Sequence, residues 1–297
     1  MFKPSGYHYG SVWPLFTGWT ALAEYRFGNY LQGFSHIMNN LNVYRNWGLG
    51  FVEEVLNGAE YQPSGVCPHQ CWSETMVVQP IIEGMLGIEV DARKNILNFS
   101  PSLPADWDYL SVQRIRLGDQ DVNVSWKRDS TNMVWQFYRS GNQPVKVNMM
   151  LALPPKTMIE KVRLNGKDYP FATFTTSRFV TLQINFVVTG TKTISIEFNG
   201  GISVLPLSLS SLPGDQAGGL RIIDANVKGD QYIIDVEGLA GTSDTISVWS
   251  YYPVSEPHEN ASFFEQKNFI TKYLVMFDAI EKKYVRKSIL LTLPTQH

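Results

Sequence analysis

The spacing of apolar residues changes once along this chain, and that change decides what its two parts can become. Up to about residue 95, apolar side chains recur every three or four positions, the period of a helix; beyond it they recur every second position, the period of a strand. In the first part, Ser11 stands where a cap precedes an apolar face of Leu15, Trp19, Leu22 and Ala23, which ends at Gly28. Asn29 is placed to cap a second helix with the stripe Leu31, Phe34, Ile37, Met38 and Leu41, stopping before Gly48. Ser73 opens a third, through Val77, Val78, Ile81, Ile82 and Met85 to Gly87. Pro80 inside that pattern predicts a kink or an early break.

In the second part, Val122, Val124 and Trp126 alternate with polar neighbours, as do Val134, Gln136 and Tyr138 with theirs, and then Val145, Val147 and Met149. Asn165-Gly166 is a hairpin signal. Strands are predicted near 173–186 and 192–198. A Leu/Ser/Pro/Gly-rich connector over 203–219 leads to further strands near 220–227, 230–237, 244–250, 272–278 and 285–293. The organisation expected is a multidomain α+β chain: helices over 1–95, an antiparallel β-sandwich over 96–202 and a smaller, Ig-like antiparallel β-sandwich over 203–297. A length of 297 residues suffices for three such cores.

Composition narrows the partners. A net charge of −2 gives no electrostatic reason to expect nucleic acid or an anionic membrane. No apolar run is long enough to span a bilayer, and the start Met-Phe-Lys-Pro-Ser-Gly has no hydrophobic signal core. Cys67 and Cys71 flank His69, but no second Cys/His pair follows to complete a zinc site, so they read as plain thiols. No metal and no cofactor are expected.

The chemistry concentrates between the second and third helices, in a long loop over 48–72 that is too aromatic to be disordered. It carries Glu53 and Glu54, then Glu60, then Cys-Pro-His-Gln-Cys-Trp-Ser. Carboxylates among Trp, Tyr, His and Gln suit a cleft that cleaves sugars: an acid group handles a proton or water, while flat rings and amides hold the pyranose. An oligosaccharide is therefore the expected substrate. Trp13 and Trp72 are candidate stacking platforms, although both residues suit core packing too. His8 and Gln70 are candidate hydroxyl partners, and Glu60 a candidate for binding a hydroxyl or positioning water. Tyr7 and Tyr61 are weaker candidates, and Asp106 and Asp108 read as turn residues.

Three segments resemble the C-terminal part of the amylo-α-1,6-glucosidase (glycogen-debranching-like) family, of the six-hairpin α/α-toroid group. Tyr7-His8-Tyr9-Gly10-Ser11-Val12-Trp13-Pro14 is similar to its Tyr-His-x-Gly-Ser-Val-Trp-Pro. Phe51-Val52-Glu53-Glu54-Val55-Leu56-Asn57-Gly58 is similar to its Leu-Pro-Glu-Leu-x-x-Gly, and Cys67-Pro68-His69-Gln70-Cys71-Trp72-Ser73 to its Cys-Pro-x-Gln-Ala-Trp-Ser. Leu86-Gly87-Ile88 and Leu103-Pro104 through Arg116-Leu117-Gly118 resemble the family's exit from the toroid into a β domain. Two positions depart: Leu15-Phe16-Thr17 stands where the family has Asp-Asn, and Glu53 where it has Pro.

The resemblance implies that the helices are the last few of a partial toroid and that Glu54 is the general base of an inverting α-glucosidic hydrolase whose general acid lies elsewhere. It implies an isolated chain that is inactive or nearly so, with exposed inner helix faces that associate with a missing helical part or with another copy. A different class of reading remains beside it: a non-catalytic carbohydrate-binding or scaffold protein using the sandwiches, or one subunit of a split glycosidase.

Overall fold

The computed structural model describes residues 3–207, 211–255, 257, 259–281 and 283–294. The Met-Phe start and residues 208–210 of the expected connector lie outside the described residues. Three α-helices come first: α1 (Pro14–Arg26), α2 (Tyr30–Asn46) and α3 (Cys71–Gln79). Helix α1 begins at Pro14 rather than at a Ser11 cap, because a proline at the first helical position loses no hydrogen bond and arrives with its φ already set. Pro80 ends α3 and opens a π-helical turn, Pro80–Met85. Proline has no N–H to give the α-helical ladder, and the wider turn closes instead with Leu86 N–H donating to Ile81 O at 2.9 Å.

Strands fill the rest. The first set is β1 (Ile88–Asp91), β2 (Ile96–Phe99), β3 (Tyr109–Leu117), β4 (Gln120–Arg128), β5 (Asn132–Ser140), β6 (Val145–Leu153), β7 (Thr157–Leu164), β8 (Lys167–Asp168), β9 (Ala172–Thr175), β10 (Val180–Val188) and β11 (Thr191–Gly200). The second is β12 (Ile202–Val204), β13 (Arg221–Lys228), β14 (Gln231–Leu239), β15 (Ser243–Ser250), β16 (Ala261–Lys267), β17 (Ile270–Met276) and β18 (Tyr284–Thr292). They build sheets in the orders β1-β2-β6-β10-β9, β3-β4-β5-β11-β7-β8, β12-β15-β17-β16 and β13-β14-β18. Asn165 and Gly166 turn β7 into β8 with φ of 50° and 80°, the left-handed pair that a tight hairpin of this kind requires.

Alternation decides the packing. On β4, β5, β6 and β10 every second residue is buried, so Trp135, Phe137, Phe99, Met149 and Leu182 from the first two sheets close on one core. Trp126 stacks on Trp135 at 5.4 Å, and Phe99 meets Trp135 edge-on at 5.5 Å. The last two sheets enclose a second core around Ile234, Ile246, Val248, Tyr273 and Ile289.

The expected partial α/α toroid is overturned. The described chain is mostly β-sheet with three α-helices, and Ala21, Tyr25, Ile37, Met85 and Leu86 bury into the same core as Phe99 and Trp135. The helices thus cap a β unit. An apolar stripe of helical period specifies that a face is buried and leaves its partner open, so the stripe is satisfied by sheet as well as by helix. Nor are the first sheets purely antiparallel, because β2 runs parallel to β6.

Two joints hold the helices in place. Arg178, at the β9–β10 turn, pairs with Asp224 of β13 at 3.0 Å and donates to Asn29 Oδ1 at 3.1 Å. Gln32 Nε2 donates to the Ile223 carbonyl at 2.9 Å. Among the helices, buried Asn40 donates from Nδ2 to Pro14 O at 3.0 Å and Met76 O at 3.2 Å, tying the start of α1 to α3. Asn40→Ala strips two carbonyls of a donor inside the cap and is expected to cost about 1–3 kcal/mol, read as a fall in the urea midpoint with unchanged slope. Outward faces stay apolar in places: Trp19 is 52% and Phe27 81% exposed.

Candidate functional site

The 48–72 loop is held by backbone hydrogen bonds to the segment before α1. Val12 N–H donates to Leu56 O at 2.9 Å, Leu56 N–H returns to Val12 O at 2.8 Å, and Gly58 N–H reaches Pro4 O at 2.9 Å. The approach is so close that a Cβ on Gly58 would sit 1.8 Å from Gly10 O, which explains glycine there. Within the loop, Glu54 N–H donates to Cys67 O at 2.9 Å and Gln70 N–H to Val52 O at 3.0 Å. The three sequence segments are thereby laid side by side.

This arrangement brings Tyr7 to Glu54. The phenol donates to Glu54 Oε1 at 2.6 Å, and the carboxylate, buried, forms no ion pair among the described residues. Tyr7's pKa is raised by that bond first and by burial second, so it stays a donor. The Tyr7 ring meets His8 and Trp13 edge-on, each at 4.8 Å, and Trp13 Nε1 donates to Tyr7 O at 3.1 Å. Beyond Trp13 the rings continue to Phe16 at 5.6 Å. Trp72, in the first turn of α3, is 44% exposed and stacks on no ring among the described residues, leaving its face open.

Other candidates fall elsewhere. Glu60 accepts from Gln62 Nε2 at 3.0 Å, and its backbone bridges to Gln216 on the connector side of the loop. Tyr61 is held by Trp47 at 4.5 Å and by Asn46, which donates to its hydroxyl at 3.2 Å. Gln70 is the residue before α3, fixed by its backbone. His69 stacks on Phe51 at 4.3 Å and pairs with Glu74 at 3.0 Å. Cys67 and Cys71 are free thiols, and among the described residues no group of three His, Cys, Asp or Glu is placed to hold a metal.

Sequence reasoning underweighted Tyr7, which lies 47 positions from Glu54; only the paired backbone of Val12 and Leu56 reveals the contact.

Glu53 differs from its neighbour. Its Oε2 is buried with no partner among the described residues, and burial raises its pKa. Folding therefore favours the protonated form. Stability is greatest below the unfolded carboxylate value, falls as pH rises to the raised folded value, and stays low above it. Glu53→Gln removes the ionisation and is expected to raise stability near pH 7.5, where the folded carboxyl carries a poorly solvated charge. Near pH 4, about the ordinary carboxylate value, the gain should vanish. Equal effects at both pH values, by denaturant titration, would remove the buried-charge account.

No protein-family model matches this chain, and no curated protein matches it, so the family resemblance rests on the sequence segments quoted above alone. Two similar solved structures are a candidate kojibiose phosphorylase from the human microbiome and a GH127 β-L-arabinofuranosidase from Geobacillus stearothermophilus T6. The first is 13% identical with a TM-score of 0.32, covering 59% of this chain and 20% of that one. The second is 9% identical with a TM-score of 0.27, covering 79% and 36%. This chain thus spans well under half the length of either. Likeness at these TM-scores leaves the chemistry to be argued from the residues.

Proposed function

We propose that the chain carries the water-activating half of a glycoside-hydrolase site. Glu54 is the general base, Tyr7 fixes one of its oxygens and leaves Oε2 for water, Trp13 and Trp72 hold sugar rings, and His8 and Gln70 meet hydroxyls. The reading extends to α-linked glucosyl substrates cleaved with inversion, in which base and acid stand roughly 6.5–9.5 Å apart across the bond. The acid is assigned to another segment or subunit. The observation that carries this reading is the 2.6 Å Tyr7–Glu54 hydrogen bond at a buried carboxylate bordered by rings.

A glycosyl fluoride tests the base separately, because fluoride leaves without a proton from an acid. The chain should release fluoride from α-glucosyl fluoride, with β-glucose as the first product by NMR, and leave maltotriose uncut. First-formed α-glucose would end the inverting reading, and no fluoride release would end the base assignment. The second reading is a non-catalytic sugar-binding protein that uses the β-sandwiches. It predicts sugar affinity without any release of fluoride from α-glucosyl fluoride.

A further inference from the structure

Strand β4 ends at Arg128, whose backbone N–H donates to Asp108 O at 2.8 Å. Its guanidinium lies 5.9 Å from the Trp126 ring and 5.1 Å from the Trp249 ring, and donates to Ala105 O. Arg128 is thus the joint between the β3–β11 sheets and the β12–β18 sheets. Desolvation lowers its pKa, and the charges of Asp106 and Asp108 pull it back up.

A cleft of about 510 Å³ opens beside this joint, within the usual range for small-molecule sites. The Asp106–Asp108 loop forms one wall and the β16–β17 turn the other. Asn268 holds that turn at φ 53°, a conformation asparagine tolerates, and Phe269 follows it. The Phe269 ring lies 9° from parallel with Tyr251 at 6.2 Å and remains 39% exposed.

The polar groups of the cleft divide into spent and unspent. Asp129 accepts from Thr131 and Asn132 backbone N–H groups, and Lys272 is paired with Glu265. The side chains of Asp106, Asp108, Lys267 and Asn268 make no hydrogen bond or ion pair among the described residues. Two free acceptors therefore share a cleft with two free donors and a flat ring. An anion meets two carboxylates there, and a cation meets Arg128 and Lys267. An apolar molecule would desolvate all four polar groups without replacing their hydrogen bonds. A neutral molecule with hydroxyls that both donate and accept, and with an apolar face, satisfies every wall.

We propose that this cleft is a second, non-catalytic carbohydrate site. A pyranose ring lies on Phe269, its hydroxyls donate to Asp106 and Asp108, and Lys267 and Asn268 donate to its oxygens. The site stands apart from Glu54 and does not depend on its chemistry.

Calorimetric titration of the intact chain with maltotriose, cellotriose and xylotriose tests the proposal, with spermidine and citrate as charged controls. At least one trisaccharide should bind in the millimolar range or tighter in a Glu54→Gln, Trp72→Ala background. Phe269→Ala should weaken that binding tenfold or more, and Asp108→Asn and the exposed Lys267→Ala several-fold, with cooperative unfolding retained in all three and the melt of Lys267→Ala unchanged. The proposal is overturned if none of the three sugars binds in that background. It is also overturned if binding is indifferent to both Phe269→Ala and Lys267→Ala, or if spermidine or citrate binds in place of sugar with the same mutational sensitivity.

Discussion

Glu54→Gln should reduce fluoride release from α-glucosyl fluoride by about 10²–10⁴-fold, the usual contribution of a positioned general base. The substitution keeps size and shape, and the Tyr7 hydroxyl can still donate to the amide oxygen in place of Glu54 Oε1, so the loop and the rings around it should hold their places. Sugar affinity and the thermal midpoint should therefore move little while turnover collapses, the pattern of an interaction made only in the transition state. A smaller side chain allows a positive control. In Glu54→Ala, added azide should attack from the face that water used and give β-glucosyl azide. A Gln variant retaining more than a tenth of the rate would remove Glu54 from the chemistry, and α-glucosyl azide would place the nucleophile on the wrong face.

What the sequence disclosed follows from what each signal encodes. Helical stripes and strand alternation record which side of an element is buried, and so α1 to α3 and strands β4 to β6, β10, β11, β13 to β15, β17 and β18 were legible to within a few residues, whereas β1 to β3 and β12 were not. Strand β16 was not, because of its residues Ala261–Lys267 every one after Ala261 is exposed, including Phe263, and an edge strand so open shows no alternation. The parallel pairing of β2 with β6 was equally hidden, since it joins Ile96 to Lys146 across intervening strands. The toroid expectation failed for a related reason. Its motifs describe a helix start and a loop, which are local, whereas the partner of α1 and α2 is chosen by packing against distant β residues such as Phe99 and Trp135. At the candidate site the residue types were legible and their mutual positions were not. Tyr7 gains its role from a backbone pairing, and Glu60 is drawn toward Gln62 and Gln216 instead of toward Glu54.

That backbone pairing is open to a sharper test at Gly58. An alanine methyl there would lie 1.8 Å from Gly10 O and 3.0 Å from its carbon, and neither belongs to a side chain that could swing aside. The segment from Pro4 to Val12 must lift, which stretches the Gly58–Pro4 and Val12–Leu56 hydrogen bonds and withdraws Tyr7 from Glu54. Misplacing a catalytic group by about 1 Å can cost on the order of 10²-fold, so fluoride release should fall by about that factor. Global stability should fall by only about 1–3 kcal/mol, the usual cost of overpacking, because the two β cores contain neither segment. Gly190→Ala is the matched control: a methyl there meets nothing within 4 Å, and both readouts should stay at the parent value. Full activity in Gly58→Ala would mean that the strap does not set the geometry of Glu54. Loss of activity with loss of the whole cooperative transition would mean that it supports the fold rather than the site.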